Sequence, residues 1–362
     1  TFLPFDAKSS VWEDVKPVPQ DDGPAPLCPI LYSPNYSQAM DLLRALLPKD
    51  ELSPRTLALT EHLSKLCPSS YTVWFYRARI LINGPEDGPN GLGNKKQRLE
   101  NELVYLNDLA KNNMKNYQVW QHRKLIVTAL GDPSHELEFA ARVLQEDSKN
   151  YNTWVYRQWV LSYFGGLPIQ SEKVTSVVDQ SPSSAGKYPQ IWEGEGQYIA
   201  QMLQMDARNN SAWNHRYFCL FASKWVQSVE KDASAKHLCG EAWKVGKTKE
   251  ECIKNEIAFT KDCIKMIPNN ASAWNYLRGV VSLLKSNDPS VNPYAVATDL
   301  ALSLLPTAQE ALQDPSVDAP PRSPPLALEW LLDDVEAKMA FEKDEAKKQE
   351  LDKQAESIVG RL

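Results

Sequence analysis

The chain has 362 residues, 43% of them hydrophobic, with 40 basic against 46 acidic side chains and a net charge of −6. That apolar content excludes wholesale disorder, and basic residues scattered among acids form no stripe for gripping a phosphate backbone, so no nucleic acid partner is expected. No apolar run approaches the ~20 residues that cross a bilayer, the opening Thr1-Phe2-Leu3-Pro4 has neither a basic leader nor an apolar signal core, and none of the six cysteines forms a C-x-x-C pair, which together predict a cytoplasmic protein with reduced thiols.

In chain order, residues 1–36 read as an extended Pro-rich arm and residues 37–362 as an all-α array of antiparallel helix-hairpin repeats. One phrase recurs through the array. Ser70-Tyr71-x-x-Trp74-x-x-Arg77 is followed by Asn116-Tyr117-x-x-Trp120-x-x-Arg123, Asn150-Tyr151-x-x-Trp154-x-x-Arg157 and Asn209-Asn210-x-x-Trp213-x-x-Arg216, and a worn copy runs from Asn270 through Trp274 to Arg278. Successive tryptophans are 46, 34, 59 and 61 residues apart, so the unit is about 34 residues and the longer gaps hold insertions, placed near 83–94, 179–189 and 224–250. A Pro-rich break at 315–325 precedes a last pair of helices, and the charged run from Glu342 to Lys353 reads as a solvated helix face.

The phrase has the grammar of a helix start. Asn or Ser accepts hydrogen bonds from the orphan amides of the first turn, and the tryptophan falls one turn later. Tyr, Trp and Arg at i, i+3 and i+6 share one arc, which predicts a packing motif with the guanidinium near an acid or an aromatic face. By this pattern alone Tyr117 belongs to the core. Between copies lies a second amphipathic helix, clearest at Leu137, Ala140, Ala141 and Leu144, with others at Leu103, Leu106 and Ala110 and at Ile257, Ile264 and Ile267. The five histidines (His62, His122, His135, His215, His237) are dispersed, none beside an Asp or Cys at ligand spacing, so no metal site is expected in this chain.

The runs Lys115-Asn116-Tyr117-Gln118-Val119-Trp120-Gln121-His122-Arg123 and Lys149-Asn150-Tyr151-Asn152-Thr153-Trp154-Val155-Tyr156-Arg157 resemble the repeats of protein prenyltransferase α subunits. The arm from Trp12 to Pro24 resembles the leader of the branch shared by farnesyltransferase and type I geranylgeranyltransferase, which disfavours the α subunit of the type II, Rab-directed enzyme. A peptide-binding helical-repeat adaptor is the alternative from a different class, set aside because the spacing drifts away from 34 residues. The resemblance implies a crescent-shaped α-α superhelix around an obligate β subunit that carries zinc, the prenyl pocket and most peptide contacts. It also implies the reaction, transfer of farnesyl or geranylgeranyl from its diphosphate, with magnesium as a further ion on the diphosphate, to the cysteine of C-terminal C-a-a-X proteins such as small GTPases. The resemblance further implies that prenyl length is set by the partner.

Residue by residue, Lys115 matches the lysine that contacts the diphosphate, and Tyr117 a tyrosine lining the same pocket; these two are the catalytic candidates. Gln118 matches a glutamine that hydrogen-bonds the peptide carboxylate, and in the next repeat Asn150 and Tyr151 match pocket residues at the subunit interface. Lys149 is positioned like Lys115. Asn152 stands where the family commonly has histidine, so a proton-dependent role there is lost, and Tyr71 matches a tyrosine near the peptide exit. The recurring tryptophans and arginines are assigned to packing, because they stand in every unit.

Overall fold

A helix needs partners for its first amides, and the repeated phrase supplies them at nearly every copy. In the computed structural model, which describes residues 6, 8–166, 186–222, 249–285, 291–306 and 324–362, Asn116 accepts from the amides of Gln118 and Val119 at 3.0 and 3.2 Å. Asn150 accepts from Thr153, Asn209 from Ser211 and Ala212, and Asn270 from Ser272. Ser70 is the exception: it takes the extended backbone of a cap, but its hydroxyl makes no capping bond.

The described helices are α1 (Pro34–Leu46), α2 (Pro54–Leu66), α3 (Tyr71–Asn83), α4 (Lys95–Asn112), α5 (Tyr117–Leu130), α6 (Glu136–Glu146) and α7 (Tyr151–Phe164), then α8 (Glu195–Met205), α9 (Asn210–Tyr217), α10 (Lys249–Met266), α11 (Ala271–Lys285), α12 (Thr298–Ser303), α13 (Pro325–Met339) and α14 (Glu345–Val359). They fall into two compact units, residues 1–188 and 189–362. No β-strand occurs among the described residues, and no helix there is long and apolar enough to cross a membrane. Of the insertions, 84–94 is a loop whose ends are tied by the buried Arg98 guanidinium, which donates to the carbonyls of Leu81, Gly84 and Gly93. Residues 179–185, 224–248 and 315–323 lie outside the described residues.

In the first unit the arm is pinned by Trp12, which is buried, donates its indole N–H to Asp6 carbonyl at 3.0 Å and lies under the Arg55 guanidinium. Arg55 in turn bridges Asp14 and Glu51. Helix α1 then begins at Pro34, slightly before the expected end of the arm. The phrase-opening helices α3, α5 and α7 pack side by side, each with its hairpin partner α2, α4 or α6, and α9 and α11 do the same in the second unit with α8 and α10.

Two contacts repeat from hairpin to hairpin. Every phrase tryptophan donates its indole N–H to the carbonyl six residues earlier: Trp74 to Pro68, Trp120 to Met114, Trp154 to Ser148, Trp213 to Ala207 and Trp274 to Pro268, at 2.7–2.9 Å. This locks the turn before each helix onto the helix itself. The second contact joins neighbours through a buried glutamate. Arg77 grips Glu102, which also takes His122 at 2.8 Å; Arg123 grips Glu136, which also takes the Tyr156 hydroxyl; Arg216 grips Glu256, which also takes Tyr276 at 2.6 Å. At the last copy Trp274 packs on Trp330, and Arg278 reaches Asp333, so α13 closes the array where another repeat would stand.

Two expectations are corrected, the first by these acids. The buried stripe of α6 is Glu136, Phe139, Ala140, Val143 and Leu144, one residue out of phase with the expected Leu137 and Ala141, because Arg123 and Tyr156 make an inward glutamate tolerable. The phrase tyrosines leave the arc of Trp and Arg: Tyr71, Tyr117 and Tyr151 are 75%, 63% and 66% exposed, so none belongs to the core.

Candidate functional site

The turns before α5 and α7 are the same tight bend, closed by Asn116 N–H to Asn113 carbonyl and Asn150 N–H to Asp147 carbonyl. They lie side by side. The Asn150 amide donates to the Met114 carbonyl at 3.3 Å, the same oxygen that receives the Trp120 indole. Lys115 therefore sits on the rim between two helix N-termini whose dipoles point their positive ends outward. Its side chain is exposed and, among the described residues, makes no ion pair.

Around Lys115 the exposed Tyr117 ring opens α5, and Gln118 follows it, half-buried. On the adjacent turn Lys149 is exposed, with its backbone amide on the Asp147 carboxylate, Tyr151 is exposed at the start of α7, and Asn152 is half-buried. Tyr71 opens α3, whose Trp74 packs against His122 of α5 with ring centroids 4.8 Å apart, so the α3 start belongs to the same edge. The expected residues thus gather on one edge of the first unit, and one of them differs from the rest in burial. Asn150 is buried, its carbonyl oxygen caps Thr153, and its N–H groups go to Met114 and Asp147. Both amide hydrogens are thus engaged within the protein, and the side chain fixes the α7 start beside Lys115.

The edge is held from below by the glutamate relay. Burial alone would raise the Glu102 carboxyl, but the Arg77 and His122 contacts overcome it and hold it at about 2. Burial pushes His122 below its ordinary value against the pull of Glu102, so the pair is a carboxylate accepting from a neutral ring. Sequence reading missed these acids, yet a signal was there: Glu102, Glu136, Glu195 and Glu256 each stand twenty residues before the His or Tyr they bind.

The second unit contains a convergence that dispersed histidines did not predict. Glu195, His215 and Cys219 bring ligand-type atoms within 4.8 Å of one another, all buried. The Glu195–His215 bond repeats the Glu102–His122 relay, which has no cysteine beside it, so the arrangement is the packing motif with a thiol 3.7 Å from the ring nitrogen.

The pattern described as "Protein prenyltransferase alpha subunit repeat" matches residues 54–83, 99–130, 133–164, 192–223 and 253–284, which are the hairpins α2–α3, α4–α5, α6–α7, α8–α9 and α10–α11. A Dictyostelium discoideum protein named "Protein farnesyltransferase/geranylgeranyltransferase type-1 subunit alpha" is 34% identical over 77% of this chain and 71% of its own length. A Pisum sativum protein of the same name is 35% identical over 78% of this chain and 69% of its own length. Among solved structures, "Candida albicans protein geranylgeranyltransferase-I complexed with GGPP" aligns with a TM-score of 0.62 and 25% identity, covering 98% of this chain and all of that one. These relatives carry the type-1 name, which favours that branch over the type II and adaptor readings. With five matched hairpins and relatives of this likeness along most of its length, the chain belongs to the protein prenyltransferase α-subunit family.

Proposed function

We propose that this chain is the α subunit of a farnesyltransferase or type I geranylgeranyltransferase, active in the cytoplasm only when paired with its β subunit. The pair transfers the isoprenoid from its diphosphate to the cysteine thiol of a C-terminal C-a-a-X sequence. The observation that carries the reading is the unpaired, exposed Lys115 between the adjoining N-termini of α5 and α7.

As the carbon–oxygen bond of the prenyl diphosphate breaks, negative charge gathers on the leaving group, and a cation carried on the turn between two helix N-termini lowers that barrier. Lys115 fills this role, and Tyr117 offers a hydroxyl donor at the same rim. A zinc ion held by the partner would coordinate the substrate cysteine and favour its thiolate form. Magnesium would accompany the diphosphate, whose remaining charge Lys115 and Lys149 flank. Gln118 donates its amide to the peptide carboxylate without adding a second charge, and Tyr151, Asn152 and Tyr71 line the peptide path along the same edge.

The test is co-expression with a farnesyltransferase β subunit and transfer of labelled farnesyl diphosphate to a C-a-a-X peptide, wild type against Lys115→Ala. Transfer that needs both chains and collapses in an intact Lys115→Ala complex supports the assignment; absence of both complex and transfer overturns it.

A further inference from the structure

The fourth hairpin of the array departs from the other four at one place in its core. Two residues after the phrase tryptophans stand Tyr76, His122, Tyr156, His215 and Tyr276, and six residues after them stand Ile80, Ile126, Val160, Cys219 and Val280. Four copies thus fill the later place with a fully buried β-branched side chain, so packing there asks only for an aliphatic group. The fourth puts a buried thiol there, one turn after an imidazole, and is the one copy that joins the two. Its helix also changes form. Helix α9 ends at Tyr217 and Phe218–Ala222 is a π turn, whereas α3, α5, α7 and α11 run through the matching positions as α-helix. Such turns are rare and concentrate at functional sites.

Glu195, the first residue of α8, places Oε1 2.5 Å from His215 Nε2, and Cys219 Sγ stands 3.7 Å from the same nitrogen. Acid and thiol meet one ring nitrogen, so the ring cannot pass a proton from thiol to acid as a nucleophilic triad does. The convergence suits a single electrophile among three donors. Zinc held tetrahedrally, with nitrogen at ~2.0–2.1 Å, sulfur at ~2.3 Å and oxygen at ~2.0–2.2 Å, sets nitrogen and sulfur ~3.6 Å apart and nitrogen and oxygen ~3.4 Å apart. The Cys219–His215 separation is already close to that value, and the Glu195 oxygen has only to withdraw by about 1 Å, the ion taking the place of the shared proton.

We propose that Glu195, His215 and Cys219 bind a zinc-class divalent cation inside the second unit, tying the start of α8 to the π turn after α9. Hard cations such as magnesium and calcium prefer oxygen shells, whereas a thiolate and an imidazole select borderline metals. On binding, the Cys219 thiol releases its proton to solvent and the His215 ring keeps its proton on Nδ1. Sγ, Nε2 and a Glu195 oxygen become the ligands, with a fourth position for water. The carboxylate and thiolate together balance the dication, so the buried site carries no net charge.

The experiment titrates the purified, metal-stripped full chain with Co²⁺, a spectroscopic stand-in for Zn²⁺. Wild type is compared with Cys219→Val, which matches the side chain of the third and fifth copies, and with His215→Gln, which keeps the thiol and removes the ring; circular dichroism establishes that each variant is folded. Wild type should develop a near-ultraviolet thiolate-to-cobalt charge-transfer band with the intense visible bands of tetrahedral cobalt, saturating at a single ion per chain and bleached by Zn²⁺. Cys219→Val should lose the charge-transfer band, and His215→Gln should bind at least about 100-fold more weakly. Zn²⁺ should raise the melting temperature of wild type and leave that of Cys219→Val unchanged. Absence of the band from wild type overturns the proposal, and so does a band of wild-type strength and affinity in Cys219→Val, which would give the metal to another cysteine. Should His215→Gln fail to fold, Cys219→Val decides the test.

Discussion

The buried spine and the exposed edge are built from the same phrase and follow opposite rules. In the spine, Trp120 and Arg123 have every polar atom matched, indole to carbonyl and guanidinium to Glu136, so each is needed for folding. On the edge, Tyr117 two residues before Val119 and Lys115 before the cap are solvent-facing, and Lys115 is unpaired. Repetition alone therefore does not mark a residue as structural: Tyr71, Tyr117 and Tyr151 recur through the three copies of the first unit and still face solvent.

The comparison breaks most visibly where a spine charge is stranded. Glu102→Ala leaves Arg77 buried without its carboxylate and should cost about 3–5 kcal/mol in denaturant unfolding. Glu102 also gives the spine a pH signature. Its folded pKa of about 2 lies below the ordinary 4.5, so the unfolded chain binds the proton more readily. The stability contributed by this group is complete above the ordinary value and is lost as pH falls towards 2. Glu102→Gln should flatten that acid limb in a plot of stability against pH, and a limb of unchanged slope would contradict the assignment.

Trp120→Ala should cost a similar ~3–5 kcal/mol, with transfer activity lost only in proportion to unfolded protein. Crossing to the edge inverts the pattern. Lys115→Ala should leave the melt within about 0.5 kcal/mol of wild type and lower kcat of the heterodimer by about 10²-fold. Gln118→Ala removes one charge-assisted hydrogen bond and should raise peptide KM by about tenfold with kcat nearly intact. The smallest effect is expected from Tyr151→Phe, which should not move stability measurably, since the hydroxyl of an exposed ring anchors nothing in the fold. A large stability loss there would place the tyrosines back with the spine.

Helix starts were legible because Asn caps act locally, and four of the five phrase copies form the predicted side-chain bond. The phase of α6 was not, since a hydrophobic stripe cannot reveal that Glu136 turns inward until Arg123 and Tyr156 are known to converge on it. The edge was legible only through family likeness. Nothing local in Lys115 separates it from any lysine on a turn. What distinguishes it is the hydrogen bond from Asn150 to Met114, spanning 36 residues, which brings the second helix start alongside.

The twenty-residue step from each relay glutamate to its His or Tyr also limits where the gene can change length. From Glu102, Glu136, Glu195 and Glu256 to the next tryptophan the interval is 18 residues every time, while from a tryptophan to the following glutamate it is 28, 16, 41 or 43. Deleting one codon between Leu103 and Val119 would swing α5 by about 100° against Glu102 and unseat two hairpins together. The same deletion among residues 85–93 would shorten a loop and leave both in register. Insertions and deletions are thus admitted in one half of each repeat and barred from the other, so a tag or reporter belongs after the tryptophan helix, never between glutamate and tryptophan.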